Sequence, residues 1–130
     1  MKKGDKFEVN FEVSDKIYNG FIQIFNDLNP LHTEDEFAIR MGFRQKVMHG
    51  NILNGFLSYF VGERLPAKNV IIQTQEIKYI QPVYLGDSLK LNIEISDVFE
   101  SVSAYEFKFF FLNSEGKKVA RGNIQIGLLK

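Results

Sequence analysis

The two histidines of this chain and one nearby aspartate form its most informative pattern. Residues 27–32 read Asp-Leu-Asn-Pro-Leu-His, and the other histidine, His49, follows seventeen positions after His32 and directly precedes Gly50. A carboxylate and an imidazole can exchange protons near neutral pH. A glycine at the start of a helix lets a ligand oxygen approach N–H groups that have no partner within the helix. These residue types predict a site that moves protons next to a carbonyl group.

The predicted positions of Asp27 and His32 bear on their charge. Asp27 is predicted near the carboxyl end of the first helix, where the helix macrodipole disfavours a negative charge. His32 is predicted just before the second helix, whose positive end disfavours an imidazolium ion and favours a neutral ring. A structural alternative stays open, in which Asp27 caps a turn and His32 packs against the loop.

Three further positions are candidates with weaker signals. Gly50 can admit an oxyanion or only relieve a tight entry into the helix, and His49 is interpreted as a satisfied core histidine. Ser58, two helical turns after Gly50, can face the same cavity and bond the carboxylate, or serve as a small packing residue. Two histidines without an i, i+4 relation do not predict a metal site.

Composition excludes several classes of function. The 130 residues make one domain, and its sixteen basic and sixteen acidic residues balance, which disfavours nucleic acid or a membrane as the main partner. The longest apolar helix is shorter than the ~20 residues that cross a bilayer. The absence of cysteine rules out thiolate chemistry, and a cytoplasmic location is expected. Thirteen phenylalanines predict an apolar surface that faces a partner as well as a core, and therefore an oligomer.

The amino-terminal part must position the candidate residues. Alternating apolar residues predict a strand over residues 6–13, and Ser14 is expected to cap a helix that begins at Asp15 and ends near residues 27–28, before Pro30. A second helix is expected from Thr33 to residues 41–42, since Thr33 and Glu36 form a capping-box pattern.

The rest of the chain predicts a helix packed against a sheet. An apolar helix is expected over residues 49–64, ended by Pro66, and the period then changes to two. Residues 113–116 predict a hairpin turn. The expected architecture is an α+β fold, a single domain over residues 1–130, in which a curved antiparallel meander wraps a central helix. Strands are expected over residues 70–80, 89–98, 102–112 and 118–128.

These motifs resemble those of the MaoC-like dehydratases, a family that includes the (R)-specific enoyl-CoA hydratases and has the hot-dog fold. The family's elements occur here in order and extend over most of the chain. They are the loop Asp-x-Asn-Pro-x-His (27–32), Gly42-Phe43, His49-Gly50, Leu65-Pro66, Pro-Val-x-x-Gly-Asp (82–87) and the final-strand residues 119–122.

The resemblance implies reversible addition of water to a trans-2-enoyl thioester. Asp27 and His32 would then hold and activate the water, the N–H of Gly50 would bind the thioester oxygen, and Ser58 would support the carboxylate. Further residues implied to bind substrate or to support the site are Asn51, Asn29 and His49. The resemblance also implies no cofactor, a coenzyme A or acyl-carrier-protein thioester as substrate, and a homodimer whose sheets join edge to edge.

Two departures from the family pattern concern the substrate. Phe25-Asn26 replaces the usual Ser-Gly, although asparagine tolerates the left-handed conformation that the turn requires. Asn51 replaces a common methionine and puts an amide near the expected substrate. Both departures leave open whether the natural acyl group is an unbranched fatty chain. Two alternatives stay open: a hot-dog thioesterase, which would leave His32 unexplained, and a non-catalytic acyl-binding module.

Overall fold

The chain folds into one five-stranded sheet and a set of helices that cover one of its faces. The structure, a computed structural model, describes all residues 1–130. Its helices and strands are β1 (Lys6–Glu12), α1 (Asp15–Phe25), α2 (Pro30–Thr33), α3 (Asp35–Arg40), α4 (Asn51–Tyr59), β2 (Val70–Tyr79), β3 (Ser88–Phe99), β4 (Ala104–Leu112) and β5 (Lys118–Leu128). A π-helical turn, Phe60–Arg64, extends α4, and a short 3₁₀ turn, Glu100–Val102, precedes β4.

All strand pairs are antiparallel, and the strand order is β1-β3-β4-β5-β2. The predicted strand boundaries are confirmed to within about two residues, and Gly116, at a φ of +76°, closes the predicted hairpin between β4 and β5. The predicted meander is correct for β3, β4 and β5 but wrong for β2, which pairs with β5 at the far edge. The connection through α4 crosses one face of the sheet, so β1 and β2 form its two opposite edges.

The core lies between α4 and the concave face of the sheet. Leu57 and Phe60 are fully buried, as are Phe107 and Ile124 on the strands that face them. The Phe60 and Phe107 rings meet edge to face, with centroids 6.3 Å apart. Burial of one such side chain contributes about 1.5–3 kcal/mol, so the contact between α4 and the sheet is a main source of stability. The expected α+β architecture is confirmed.

The phenylalanines serve mainly the core. Only Phe25 and Phe99 are exposed, with 66% and 38% of their surfaces accessible, and the other eleven are buried or half-buried. The predicted role of the phenylalanines in a core is therefore confirmed, and only these two are exposed enough to face a partner. An exposed apolar patch does occur at the end of α1, where Ile24, Phe25 and Leu28 are each more than 60% exposed.

The first helix begins as predicted and ends earlier. The Ser14 hydroxyl accepts a hydrogen bond from the Ile17 N–H, which confirms the cap. The helix ends at Phe25 because Asn26 adopts the left-handed conformation, with a φ of 57°, and its N–H bonds the Ile22 carbonyl.

The predicted second helix is wrong in its start and in its cap. Pro30 begins the four-residue helix α2, and its fixed φ suits the first helical position. Thr33 is the last residue of α2, and its hydroxyl bonds the carbonyls of Leu28 and Asn29 instead of capping the next helix. Helix α3 starts after Glu34 without a side-chain cap. No helix has both the length and the hydropathy needed to cross a membrane.

Candidate active site

The loop between α1 and α2 holds Asp27 through its own turn. The Asn29 N–H donates to Oδ1 of Asp27 at 3.2 Å, and Oδ1 of Asn29 accepts from the Leu31 N–H at 2.9 Å. Asp27 therefore does cap a turn, as the structural alternative expected. The carboxylate is exposed on the isolated chain, and its Oδ2 atom has no protein hydrogen bond, so the group remains available to a water or a substrate.

His32 is held at both its main chain and its ring. The Tyr18 hydroxyl donates to the His32 carbonyl at 2.6 Å, and Nδ1 of His32 lies 2.7 Å from the Val47 carbonyl oxygen. Because a carbonyl only accepts, Nδ1 carries a hydrogen, and Nε2 is the ring nitrogen that has no protein partner. The ring thus presents the nitrogen that can take a proton.

The prediction that His32 lies in the loop before a helix is wrong, although α3 does begin three residues later, at Asp35. His32 lies in the last turn of α2, since Pro30 begins that helix two residues earlier. The predicted helix start at Thr33 therefore does not decide which ring nitrogen of His32 carries a hydrogen. The Val47 carbonyl selects the tautomer instead, and it is held close because the Val47 N–H bonds the Leu31 carbonyl.

His49 connects the central helix to the aspartate. The residue is 3% exposed, and its Nε2 lies 2.9 Å from the Asp27 carbonyl oxygen, which it must therefore donate to. Its ring lies between the rings of Phe21 and His32, at centroid distances of 4.6 and 4.2 Å. The predicted burial of His49 in the core is confirmed. Its ring is only half satisfied, because Nδ1 has no hydrogen-bond partner. The prediction also did not include the bond from Nε2 to the Asp27 carbonyl.

The fold gathers Asp27, His32 and His49 into one cluster, although the sequence did not predict a metal site. One ligand-type atom of each lies within 4.8 Å of the others. Tetrahedral zinc ligands at about 2.0–2.2 Å from the metal lie ~3.4 Å from one another. The three groups thus lie close enough together to be considered as one site, and the carboxylate and the two imidazoles can act on the same small molecule.

Gly50 stands where main-chain donors are free. Neither its N–H nor that of Asn51 has a hydrogen-bond partner, as expected at the first residues of α4. The Tyr79 ring packs against Gly50, and a methyl group at position 50 would lie 2.8 Å from Cζ of Tyr79. Gly50 therefore both allows the close packing of the Tyr79 ring and lies at main-chain N–H groups that have no protein partner.

Two openings meet at this cluster. A cavity of about 470 Å³ is bordered by His32, His49, Gly50 and Tyr79. A larger groove between α1 and α4, of about 1110 Å³, is bordered by Asp27, Asn51 and apolar side chains. The carboxylate and the imidazole thus lie at the wall between the two openings.

Ser58 is not brought to the carboxylate in the isolated chain. It is exposed on α4, and its hydroxyl makes no hydrogen bond to Asp27. Asn51 is also exposed and borders the groove together with Asp27. Of the predicted site residues, Asn51 thus borders the same groove as Asp27, whereas Ser58 lies on the exposed face of α4 without contact to the carboxylate.

Sequence reasoning missed a polar network beside Gly50. Nδ2 of Asn54 donates to Oδ1 of Asn51 at 2.8 Å and to the Tyr79 hydroxyl at 3.3 Å, and Nε2 of Gln75 donates to Oδ1 of Asn54 at 2.6 Å. Burial raises the pKa of the Tyr79 phenol above its ordinary value of 10.0, and the bond from Asn54 opposes this shift. The only sequence signal for this network was the spacing of Gln75 and Tyr79, which puts both side chains on the same face of β2.

Comparison with known proteins gives consistent family and fold relationships. Residues 2–106 match the model of the MaoC like domain. The 3-hydroxybutyryl-CoA dehydratase of Methylorubrum extorquens is 31% identical over 87 residues, which are 67% of this chain and 55% of that protein. The (R)-specific enoyl-CoA hydratase of Aeromonas caviae is 32% identical over 76 residues, 58% of this chain and 57% of that protein. The aligned stretch thus spans little more than half of either relative.

The fold is shared with solved structures over nearly the whole chain. The structure of the (R)-hydratase from A. caviae aligns with a TM-score of 0.90 at 23% identity and covers 99% of this chain and 98% of that one. The (R)-hydratase PhaJ1 from Pseudomonas aeruginosa aligns with a TM-score of 0.88 at 24% identity and covers 100% of this chain and 83% of that one. The sheet wrapped around α4 is therefore the hot-dog fold.

Proposed function

Because this chain belongs to the MaoC-like domain family, we propose that it is an (R)-specific enoyl-thioester hydratase. The reaction adds water to a trans-2-enoyl thioester and runs in reverse as a 3-hydroxyacyl-thioester dehydratase. One observation carries the proposal: the Asp27 carboxylate and the His32 ring converge within 4.8 Å, next to the unpaired N–H of Gly50. An acid–base pair beside a main-chain donor matches the needs of addition next to a carbonyl.

The acid–base pair acts on one water molecule. Asp27 and Nε2 of His32 hold the water, and His32 can accept its proton because Nδ1 is already engaged by the Val47 carbonyl. The hydroxyl group adds to the β-carbon, and a proton reaches the α-carbon on the same face. One water is thereby added across one double bond, and no redox partner is needed.

The oxyanion site and the supporting residues complete the mechanism. As the β-carbon is attacked, negative charge develops on the thioester oxygen, and the N–H of Gly50 stabilises it. Asn29 orients the carboxylate of Asp27 through its N–H, and His49 holds the Asp27 carbonyl. Both supports act on Asp27, so its position depends on the loop and on the start of α4 together.

We also propose a homodimer that binds coenzyme A or acyl-carrier-protein thioesters. The edges of the sheet are β1 and β2, and an edge strand presents unpaired main-chain groups that a second copy can cover. The exposed patch at Ile24, Phe25 and Leu28 lies next to Asp27 in the chain. A second copy near this patch would also cover Asp27, which borders the same groove as Ile24 and Phe25. Analytical ultracentrifugation tests the dimer, and the cytoplasmic location stays a prediction.

The activity is tested with crotonyl-CoA and with a panel of enoyl thioesters that vary in carrier and acyl length. The parent should remove the conjugated absorbance, and Asp27→Asn or His32→Ala should lower the rate ~10²–10⁴-fold because acid–base help is lost. Asp97→Asn, which changes an exposed carboxylate on β3, is the matched control and should keep the parent rate.

Two results would contradict the proposal. Asp27→Asn that hydrates crotonyl-CoA as fast as the parent would remove Asp27 from the mechanism. Release of free thiol from a saturated acyl-CoA, with no change in enoyl absorbance, would identify a thioesterase instead.

A further inference from the structure

The hydroxyl of Tyr79 lies next to the main-chain donors that the mechanism uses. A methyl group at position 50 would lie 3.1 Å from this oxygen and 2.9 Å from Cε1 of the same ring. Tyr79 is the last residue of β2 and borders the cavity that also contains His32 and Gly50. Its side chain is 47% exposed, so the hydroxyl can contact a ligand in that cavity.

The hydrogen bonds around Tyr79 leave its own hydrogen free. Gln75 donates to Oδ1 of Asn54, which makes the amide nitrogen of Asn54 the donor to the Tyr79 oxygen. The Tyr79 oxygen is therefore an acceptor within the chain, and the phenolic O–H donates to no protein group. A hydroxyl that is held by an amide and retains an unused hydrogen is oriented to donate to a ligand.

We propose that Tyr79 is a catalytic residue whose O–H donates a hydrogen bond to the thioester carbonyl oxygen bound at Gly50. Asn54, held by Gln75, is the positioning residue that aims it. This inference rests on the proposed hydratase function. No proton is transferred: the phenol keeps its hydrogen and stabilises the negative charge that the oxygen gains when the β-carbon is attacked.

Physical chemistry favours a phenol in this position. Donors that are already in place where charge develops stabilise a transition state without reorganisation, and loss of one typically costs ~10²–10³-fold in rate. Burial raises the pKa of Tyr79 above 10.0, so the phenol keeps its hydrogen at neutral pH. Because the side chain is half exposed, we expect a loss at or below the lower end of that range.

The kinetic test removes only the hydroxyl. Tyr79→Phe should lower kcat for crotonyl-CoA about 10- to 100-fold and change KM by less than about threefold, because the bond strengthens as charge develops. Tyr105→Phe is the matched control, since Tyr105 is a half-buried tyrosine of β4 that is not part of this site. It should keep the parent kcat.

A spectroscopic test separates this role from a structural one. The para-dimethylaminocinnamoyl thioester of coenzyme A absorbs further to the red when its carbonyl is polarised by hydrogen bonds. Bound to the parent and to Tyr105→Phe, the thioester should show the full red shift, whereas Tyr79→Phe should show a smaller one. Asn54→Leu, which keeps the hydroxyl but removes its support, should give an intermediate shift and an intermediate kcat.

The outcomes distinguish the two proposals. If the parent hydrates no enoyl thioester, the hydratase proposal fails and the role of Tyr79 fails with it. If the parent is active and Tyr79→Phe matches it in both kcat and red shift, only the role of Tyr79 is overturned. If Tyr79→Phe does not fold, Asn54→Leu tests the role of Tyr79 instead. Parent-like kcat and a parent-like red shift in Asn54→Leu would then overturn that role.

Discussion

The sheet and the loop-rich segment before α4 are stabilised in different ways. In β3 and most of β4 the buried side chains alternate with more accessible ones, and β5 adds further buried residues, so that many apolar contacts contribute to stability. The segment over residues 26–50 has only Ala38, Met48 and His49 buried. Its functional side chains are positioned by single directional bonds to Tyr18, Val47 and Asp27. The difference teaches that stability and activity should respond to mutations in different regions.

The largest effect on stability should come from the sheet. Phe107→Ala removes a fully buried ring that meets Phe60, and it should lower the free energy of unfolding by about 3–5 kcal/mol. Phe99→Ala, at a 38% exposed position, is the matched control and should cost less than ~1 kcal/mol. Urea denaturation measures both.

Activity per folded molecule should stay near the parent value in Phe107→Ala. A strong loss of kcat in the folded fraction would contradict the separation of the two regions, because it would show that the core sets the geometry of the site.

A moderate effect, mainly on rate, should come from the loop-rich segment. Tyr18→Phe removes the bond to the His32 carbonyl and should cost about 1–3 kcal/mol in unfolding free energy, since it leaves a half-buried carbonyl unpaired. It should lower kcat ~10- to 100-fold, because a small displacement of the ring proposed to take the proton is costly. Steady-state kinetics and urea denaturation on the same preparation test both expectations.

Tyr84→Phe sharpens this comparison. The buried Tyr84 hydroxyl accepts from the Arg44 N–H at 3.2 Å, so the change also removes one bond to the main chain. It should cost a similar amount of stability without the loss of kcat. Equal loss of kcat in both variants would contradict a specific role of the bond to His32.

The smallest effect concerns pH. Burial raises the pKa of folded Tyr79 above 10.0, so this group's contribution to folding is fully present below pH 10.0 and is lost as pH rises through the folded pKa. The unfolding free energy of the parent should therefore fall relative to that of Tyr79→Phe only above pH 10.0. Denaturant midpoints of both proteins from pH 8 to 11 test this, and a constant difference throughout would show that burial has no such effect.

Some features of the site were accessible from the sequence because they are local. The order Asp27, His32, Gly50 indicated the candidate site, whose residues the fold brings together. Asn26 was expected to accept the left-handed conformation that it shows. The helical position of His32 was wrong, since Pro30 can either end a helix or begin one and only the contacts of α2 decide between them. Ser58 illustrates another limit, because a helical repeat places it on a face but does not say what covers that face.

The sequence by itself determined the α+β class, the strand boundaries and the residue types of the site. Alternation of period two, helix caps and turn residues act between positions only a few residues apart, so they can be read along the chain. Tertiary structure alone decided that β2 pairs with β5, that Val47 selects the tautomer of His32 and that Tyr79 lies over Gly50. These contacts join residues fifteen or more positions apart, and their geometry depends on how α4 packs across the sheet.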